Sequence, residues 1–320
     1  MTLSEFLEEW NNSSPYVHVQ TSGSTGTPKP MLVEKRRMLA SARITCDFLG
    51  LRPCDSALLC MSLDYIAGKM MVVRSLERGL RLVTVTPSGH PLANQEECYD
   101  FAAMVPMQVY NSLQIPEERR RLQQIRHLII GGGAIDEALE SALRDFPHAV
   151  WSTYGMTETL SHIALRRLSG PEASPWYAPF PSVHISLSED GCLVIDAPEV
   201  CPERLVTNDI AVLSPDHSRF RIIGRKDNVI CSGGIKIQAE ELERQLRPHL
   251  RAPYLITRRP DVKFGEIVVL LTEGSVDEAR EVCERVLPKF HHPRAYVHVS
   301  AIPLTATGKP ARKEAARLAL

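Results

Sequence analysis

Nine consecutive residues near the start of the chain combine the residue types that can bind a polyphosphate. They are Thr21, Ser22, Gly23, Ser24, Thr25, Gly26, Thr27, Pro28 and Lys29. The two glycines allow the backbone to curl, so that successive N–H groups point towards one anion. The hydroxyls add donors and the lysine adds a positive charge. A β-branched, aromatic run precedes the segment and a helical pattern comes after it, which favours a phosphate loop over a flexible Ser/Gly linker.

This loop differs from the Walker A type of phosphate loop. The Gly-Lys-Ser/Thr ending is absent, because Pro28 and Thr27 separate Gly26 from Lys29.

A second cluster of reactive residue types begins at the end of a predicted strand, after residue 153. It reads Tyr154-Gly155-Met156-Thr157-Glu158-Thr159. The carboxyl ends of strands in an open α/β sheet are where ligand sites form. There an aromatic ring can stack on a base, a hydroxyl can reach a phosphate and a glutamate can hold Mg²⁺. An ordinary helix start explains the same six residues equally well.

Two further features are ambiguous when each is taken alone. Gly131-Gly132-Gly133-Ala134 comes after a predicted strand and allows a flat ligand to approach the backbone closely, but a bare turn has the same composition. Asp209 precedes a strand and could accept hydrogen bonds from two ribose hydroxyls, or it could cap a turn.

The last third of the chain carries charged and glycine-rich segments. Gly224-Arg225-Lys226-Asp227-Asn228 has the composition of a charged hinge, and Ser232-Gly233-Gly234 has that of a hairpin turn. Lys309 lies on a glycine-bearing loop before a basic helix, where a lone lysine is commonly exposed to solvent.

Composition limits the partners that the chain can have. The 320 residues carry 37 basic and 38 acidic side chains, so a net charge of −1 provides no general attraction for nucleic acid or an anionic membrane. The first ten residues contain three glutamates and no basic residue, and no apolar run is long enough to span a membrane. Eight scattered cysteines without Cys-x-x-Cys spacing predict reduced thiols rather than a zinc site. We therefore expect a soluble, cytoplasmic protein.

The order of apolar segments predicts an α/β fold. Through the first half, strands alternate with helices, which is typical of a sheet with helical crossovers. From about residue 183 short strands and turn residues predict a small, largely antiparallel β subdomain. The remainder has a compact α+β pattern. The expected domains are 1–226, a large N-terminal α/β domain, and 227–320, a small mobile C-terminal lid domain.

Taken together and in this order, these segments resemble the motifs of the adenylate-forming superfamily, which contains acyl-CoA synthetases, peptide-synthetase adenylation domains and luciferases. The matching segments are 21–29, Tyr154 to Glu158, Asp209, Gly224-Arg225-x-Asp227, Ser232-Gly233-Gly234 and Thr305-x-x-Gly308-Lys309. Within the superfamily, Tyr154 to Thr159 continuing into Leu160-Ser161-His162-Ile163-Ala164 is most similar to the o-succinylbenzoate–CoA ligases of menaquinone synthesis.

The resemblance implies an enzyme with two half-reactions. A carboxylic acid reacts with Mg-ATP to give an acyl-adenylate, and coenzyme A then displaces AMP. The implied acid is o-succinylbenzoate, with no nucleic acid or membrane partner and with a homodimer left open. Two alternatives remain: an enzyme that loads another acid onto CoA or a carrier protein, and a degenerate nucleotide-binding protein without turnover.

The resemblance also implies a role for each motif residue. The loop 21–29 would hold the β- and γ-phosphates, Thr157 the α-phosphate, Glu158 the Mg²⁺ ion, and Asp209 with Arg225 the ribose. Lys309 would bridge the attacking carboxylate and the adenylate, and Asp227 would be the hinge. The other residues expected to contact the nucleotide or CoA are Gly132, Gly133, Ala134, Tyr154, Gly155, Met156, Ser232, Gly233 and Gly234. The residues expected to contact the acid are Tyr65, Gly68, Lys69 and His162.

Three departures from the family pattern affect these expectations. Only about 20 residues precede the phosphate loop, so part of the usual N-terminal subdomain is expected to be missing or rebuilt. Asn208 replaces the glycine that commonly precedes the ribose-binding aspartate. Tyr65 occupies the position of a histidine beside the acyl site, which puts acyl gating in question but not adenylate formation.

Lys69 and His162 are the expected partners of a second substrate carboxylate.

Overall fold

The structure is a computed structural model that describes residues 1–20, 30–305 and 310–320. The described helices are α1 Leu3–Asn11, α2 Lys35–Leu49, α3 Ile66–Arg78, α4 Pro106–Gln114, α5 Pro116–Gln123, α6 Glu137–Leu143, α7 Ala239–Leu246, α8 Val276–Val286 and α9 Arg312–Leu318. The described strands are β1 Tyr16–Gln20, β2 Pro30–Glu34, β3 Ser56–Leu59, β4 Arg81–Thr84, β5 Phe101–Met104, β6 His127–Ile130, β7 Ala149–Gly155, β8 His162–Arg167, β9 Ala178–Pro179, β10 His184–Leu187, β11 Cys192–Asp196, β12 Leu205–Leu213, β13 Phe220–Arg225, β14 Val229–Ser232, β15 Ile235–Gln238, β16 Tyr254–Asp261, β17 Gly265–Thr272 and β18 Ala295–His298.

The chain divides into two compact units. The first comprises Met1–Ser186, Ile195–Leu205 and Leu213–Arg221, and the second comprises Leu187–Val194, Val206–Val212 and Ile222–Leu320. Strands β10, β11, β12 and β13 form a sheet in chain order, and the division between the units falls within these strands. The boundary expected between residues 226 and 227 stays a prediction.

The first unit is built on a mixed sheet with the strand order β4-β3-β5-β6-β7-β8-β9. The strands β4, β3, β5, β6 and β7 are parallel neighbours, whereas β8 and β9 continue the sheet in antiparallel pairs. The alternation of strands and helices in the sequence predicted this α/β arrangement, and the fold class is confirmed. Because the parallel strands run in one direction, the segments after β3, β6 and β7 lie along the same edge of the sheet.

Apolar strands and helices enclose the core of the first unit. Every residue of β3 and β5 is buried, as expected for strands covered on both faces. Two helices on this sheet end at glycines with left-handed φ, since α2 stops before Gly50 (φ 64°) and α3 before Gly79 (φ 66°). These ends return the chain to β3 and β4.

Helix α1 was not expected from the sequence. Thr2 caps it, accepting from the Glu5 backbone N–H while the Glu5 side chain accepts from the Thr2 backbone N–H. Phe6 is fully buried. The short helix therefore belongs to the packed part of the first unit.

The second unit contains a sheet in which β15, β14, β17 and β16 are neighbours in that order and β18 pairs with β17. Helices α7 and α8 contribute to one apolar cluster around Leu242, Ile256 and Leu270, and α9 contributes Ala315 to another around Val269 and Leu271. The sequence pattern predicts a helix over Ala239 to Leu250, and the observed helix α7 ends earlier, at Leu246.

Of the described residues, no helix is both long enough and apolar enough to cross a membrane.

Candidate active site

Two glycines bring backbone segments at the carboxyl edge of the first unit's sheet into close contact. A Cβ at Gly68 would lie 2.3 Å from the Ser62 carbonyl oxygen. A Cβ at Gly155 would lie 2.2 Å from the Ser161 carbonyl oxygen. Because both obstructing atoms belong to the backbone, no other residue type fits at either position without a backbone shift.

The glycine segment after β6 lies beside the end of β7. Gly131 donates its N–H to the Met104 carbonyl at 3.1 Å, and a Cβ at Gly131 would lie 2.4 Å from Thr153 Oγ1. Of the next residues, Gly132 and Ala134 are exposed, and Gly133 is half-buried. The structure therefore brings two of the predicted segments to one edge, while their contact with a nucleotide stays a prediction.

Tyr154 lies at the end of β7 in a cluster of aromatic rings. Its ring centroid lies 5.8 Å from that of Tyr177 and 5.0 Å from that of Phe220, and the latter two rings stack at 5.5 Å. Such a cluster holds the Tyr154 ring in a defined orientation. Stacking of this ring on a base stays a prediction.

The residues after Gly155 form a single 3₁₀ turn, 157–159, which begins after Met156. Thr159 is buried, and its hydroxyl accepts from the Met156 backbone N–H at 3.0 Å. Thr157 is buried as well, whereas Glu158 is exposed. The turn thus fixes the backbone of Thr157 and Glu158 and leaves the carboxylate of Glu158 facing outwards.

A chain of hydrogen bonds runs from α3 through this segment to α2. Arg74 Nη2 donates to Ser161 Oγ at 2.6 Å, and Ser161 Oγ lies 3.2 Å from His162 Nδ1. His162 Nε2 lies 3.1 Å from Thr45 Oγ1, which in turn donates to the Ser41 carbonyl at 3.0 Å. The Thr45 hydroxyl donates its only proton to the Ser41 carbonyl, so its oxygen accepts a hydrogen bond from His162 Nε2–H. His162 Nδ1 is then unprotonated and accepts from the Ser161 hydroxyl.

This network makes His162 a neutral, buried histidine. Burial, aided by the nearby Arg74 cation, holds the pKa of His162 well below its usual range. Both ring nitrogens have protein partners. His162 is thus already engaged by the protein, and its contact with the acid stays a prediction.

Arg74 is the residue at this edge that the sequence reasoning missed. Its side chain is fully buried, and within the described ranges no carboxylate pairs with it. Its Nε atom has no hydrogen-bond partner there, and burial lowers its pKa to about 10. The sequence feature that could have indicated a buried arginine is the position of Arg74 directly after the apolar run Met70–Val73.

Lys69 and Tyr65 differ in their surroundings. The Lys69 ammonium is buried, donates to the His18 carbonyl and lies 3.9 Å from Glu9 Oε2. Tyr65 precedes the first residue of α3 and is 44% exposed. Lys69 is thus already engaged by the protein, and the contact of both residues with the acid stays a prediction.

In the second unit, Asp209 and Arg225 form an ion pair. Arg225 Nη1 donates to Asp209 Oδ1 at 3.0 Å, and Arg225 Nη2 lies 3.3 Å from Asp227 Oδ2. The structure therefore brings together the two residues that the sequence assigned to a ribose, beside the predicted hinge residue.

Ser232, Gly233 and Gly234 connect β14 and β15 as a tight hairpin. Gly233 has a φ of 58° and Gly234 a φ of 84°, the positive values that a two-residue turn of this kind requires. A Cβ at Gly234 would meet nothing within 4 Å. The side of the turn at Gly234 is therefore open.

Two expected parts of the site lie outside the described residues. They are the phosphate-loop residues Thr21, Ser22, Gly23, Ser24, Thr25, Gly26 and Lys29, and the catalytic candidate Lys309.

Comparison with known proteins places the chain among enzymes. The family model described as AMP-binding enzyme matches residues 5–203. A 2-succinylbenzoate–CoA ligase of Listeria monocytogenes is 24% identical over 97% of this chain and 71% of its own length. A ligase of the same name from Salmonella typhimurium is 30% identical over 85% of this chain and 62% of its own length.

Solved structures share the fold. An acyl-CoA synthetase (AMP-forming)/AMP-acid ligase II-like protein from Dyadobacter fermentans is 33% identical, with a TM-score of 0.67, and the match covers 98% of this chain and 93% of that one. The o-succinylbenzoate coenzyme A synthetase of Bacillus subtilis, in complex with ATP and magnesium ion, is 22% identical with a TM-score of 0.75, and the match covers 93% and 69%. The prediction of an adenylate-forming enzyme is confirmed, and the chain belongs to the AMP-binding enzyme family.

Proposed function

We propose that the chain is an ATP-dependent acid–CoA ligase whose acid is a dicarboxylate, o-succinylbenzoate. The relatives named 2-succinylbenzoate–CoA ligase support the class of reaction. The observation that carries the choice of acid is the buried Arg74, which has no carboxylate partner among the residues described.

A buried guanidinium without a counterion is costly. Arg74 lies on α3 and donates to Ser161, shortly after the Tyr154–Thr159 segment. A second substrate carboxylate at this position would neutralise the arginine and accept from its unpartnered Nε–H. We therefore assign Arg74, rather than Lys69 or His162, as the partner of that carboxylate.

The first half-reaction requires positioning more than acid–base chemistry. The acid is already ionised at neutral pH, so its oxygen can attack the α-phosphate without an enzyme base. The barrier is the approach of one anion to another, which donors and cations lower. In this proposal Thr157 contacts the α-phosphate, the loop 21–29 holds the outer phosphates, and Lys309 bridges the two reacting anions.

Glu158 fits the role of a magnesium ligand. Its carboxylate is exposed at the carboxyl edge of the sheet, next to the buried Thr157. A hard cation such as Mg²⁺ takes few protein carboxylates and keeps water and phosphate oxygens as its other ligands. When bound, the ion neutralises phosphate charge.

The second half-reaction uses the second unit. In the proposal Asp209 and Arg225 hold the ribose, and rotation about Asp227 withdraws Lys309 and brings the turn 232–234 to the thiol of CoA. The open side of Gly234 would leave room for a narrow pantetheine arm.

The eight free cysteines support a cytoplasmic location.

The test compares o-succinylbenzoate with 3-benzoylpropionate, which lacks the aromatic carboxylate. We expect Arg74→Met to lower kcat/KM for o-succinylbenzoate about 100-fold, because a buried charge pair is lost, and to change kcat/KM for the monoacid much less. The exposed Arg43 provides the control substitution Arg43→Met. An equal loss for both acids would contradict the assignment of Arg74.

A further inference from the structure

The outer edge of strand β1 is closed by side chains instead of another strand. β1 pairs only with β2 in the described sheet, where His18 lies opposite Leu32. The His18 backbone N–H donates to Glu9 Oε1 at 2.8 Å, and the His18 carbonyl accepts from Lys69 Nζ. Alternate residues of an antiparallel strand point both backbone groups away from the partner strand. Glu9 and Lys69 therefore satisfy the two groups that β2 does not reach.

Glu9 and Lys69 also form an ion pair that is largely removed from water. The Lys69 ammonium lies 3.9 Å from Glu9 Oε2, with side-chain exposures of 3% and 16%. The ammonium also lies 5.6 Å from the centre of the Phe6 ring. Burial lowers the pKa of Lys69, and Glu9 opposes this shift. Removing one member would leave the other buried and unpaired.

The two strands β1 and β2 flank the predicted phosphate loop. β1 ends at Gln20, directly before residues 21–29, and β2 begins at Pro30, directly after them. A two-stranded pair is marginally stable by itself. Its place in the first unit therefore depends on buried side chains such as Val17 and Val19 and on the closed edge at His18.

We propose that Lys69 is a positioning residue for ATP. With Glu9 it fixes β1, the strand that ends directly before residues 21–29 in the sequence. This inference rests on the proposed function, in which 21–29 is the phosphate loop. It gives Lys69 a role in nucleotide binding instead of the expected contact with the acid.

The experiment measures binding of Mg-ATP and of AMP to the whole chain by titration calorimetry, without the acid. We expect Lys69→Met to weaken ATP binding about tenfold, within the usual range of coupling between a positioning element and a ligand site. AMP binding should change less than about twofold, because AMP lacks the outer phosphates. Glu9→Gln keeps an acceptor for the His18 N–H and should show a smaller loss in the same direction. Thermal unfolding of each variant checks its folding.

Lys35→Met is the matched control. Lys35 Nζ also holds the N-terminal segment, donating to the Asn12 carbonyl at 2.9 Å, but it does not contact β1 through this bond. We expect unchanged binding of both nucleotides. If Lys69→Met and Glu9→Gln bind ATP as tightly as the unchanged protein, this inference alone is overturned. The same holds if the affinities for ATP and AMP fall equally. Failure of the unchanged protein to bind ATP would overturn the proposed function as well.

Discussion

Arg312 lies across the carboxylate of Glu243 in a two-point contact. Its Nη1 donates to Glu243 Oε1 at 3.0 Å and its Nη2 to Oε2 at 2.7 Å. Glu243 also accepts from the Ile256 backbone N–H at 2.9 Å. Although burial opposes it, the Glu243 carboxylate raises the pKa of Arg312. The pair fixes the start of α9, just after residues 306–309.

Arg312→Ala should lower the free energy of unfolding by about 3 kcal/mol, because the Glu243 carboxylate, which is only 13% exposed, loses its partner. We also expect slower adenylation with an unchanged KM for CoA, since the start of α9, which comes shortly after Lys309 in the sequence, would be less well fixed. Urea unfolding and a pyrophosphate-release assay measure the two effects. The exposed Arg317 on the same helix provides the control Arg317→Ala, and equal effects of the two substitutions would contradict this account.

Lys309→Ala should abolish adenylation and largely spare thioester formation from a preformed acyl-adenylate. In the proposed mechanism the lysine neutralises charge only in the first transition state, and loss of one such contact costs about 10²–10³-fold. Single-turnover assays of the separate half-reactions make the measurement. Equal loss in both would show that the lysine is structural or that the second unit does not rotate.

Gly234→Leu should have the opposite effect. A large side chain on the open side of the turn would obstruct the thiol, so pyrophosphate release should persist while thioester formation collapses. Gly234→Ala places a residue with a short side chain at the same left-handed φ and is the control for backbone strain. A parallel fall of both activities in Gly234→Leu would assign the glycine to folding or to the adenylation state.

Stability should fall in acid partly because of His162. The folded state holds the pKa of this histidine well below its unfolded value near 6.5, so the unfolded chain binds more protons as the pH drops. The contribution is therefore present above pH about 6.5 and is lost progressively below it. Urea unfolding between pH 5 and 8 should show a weaker pH dependence for His162→Gln than for the exposed control His184→Gln. Identical slopes would show that His162 is protonated without cost.

The sequence predicted the sheet of the first unit well because its strands and helices have clear periodicity. The pattern predicts a strand over His127 to Ile130, which matches β6, and a helix over Lys35 to Phe48, which α2 extends by one residue to Leu49. Strand β8 was missed because it has no distinctive local pattern and depends on packing with distant residues. Helix α1 was missed although Thr2 and Glu5 have the spacing of a capping box.

The site was predictable in part. Motif residues such as Tyr154 and Asp209 carry their chemistry in the sequence. The role of Arg74 depends instead on burial and on the absence of a carboxylate around it in the described structure, which only the packing of α3 against the Ser161 segment reveals. Lys69 is a similar case. Its two partners, Glu9 and the His18 carbonyl, lie far from Lys69 in the sequence.

The most direct test of the central claim is AMP formation by the unchanged protein with ATP, Mg²⁺ and a panel of acids, with and without CoA. The account predicts that o-succinylbenzoate gives the highest kcat/KM and that CoA is converted to its thioester in equal amount to the AMP formed. A preference for medium- or long-chain fatty acids would contradict the choice of acid. Absence of AMP and thioester with every acid would contradict the assignment as an acid–CoA ligase.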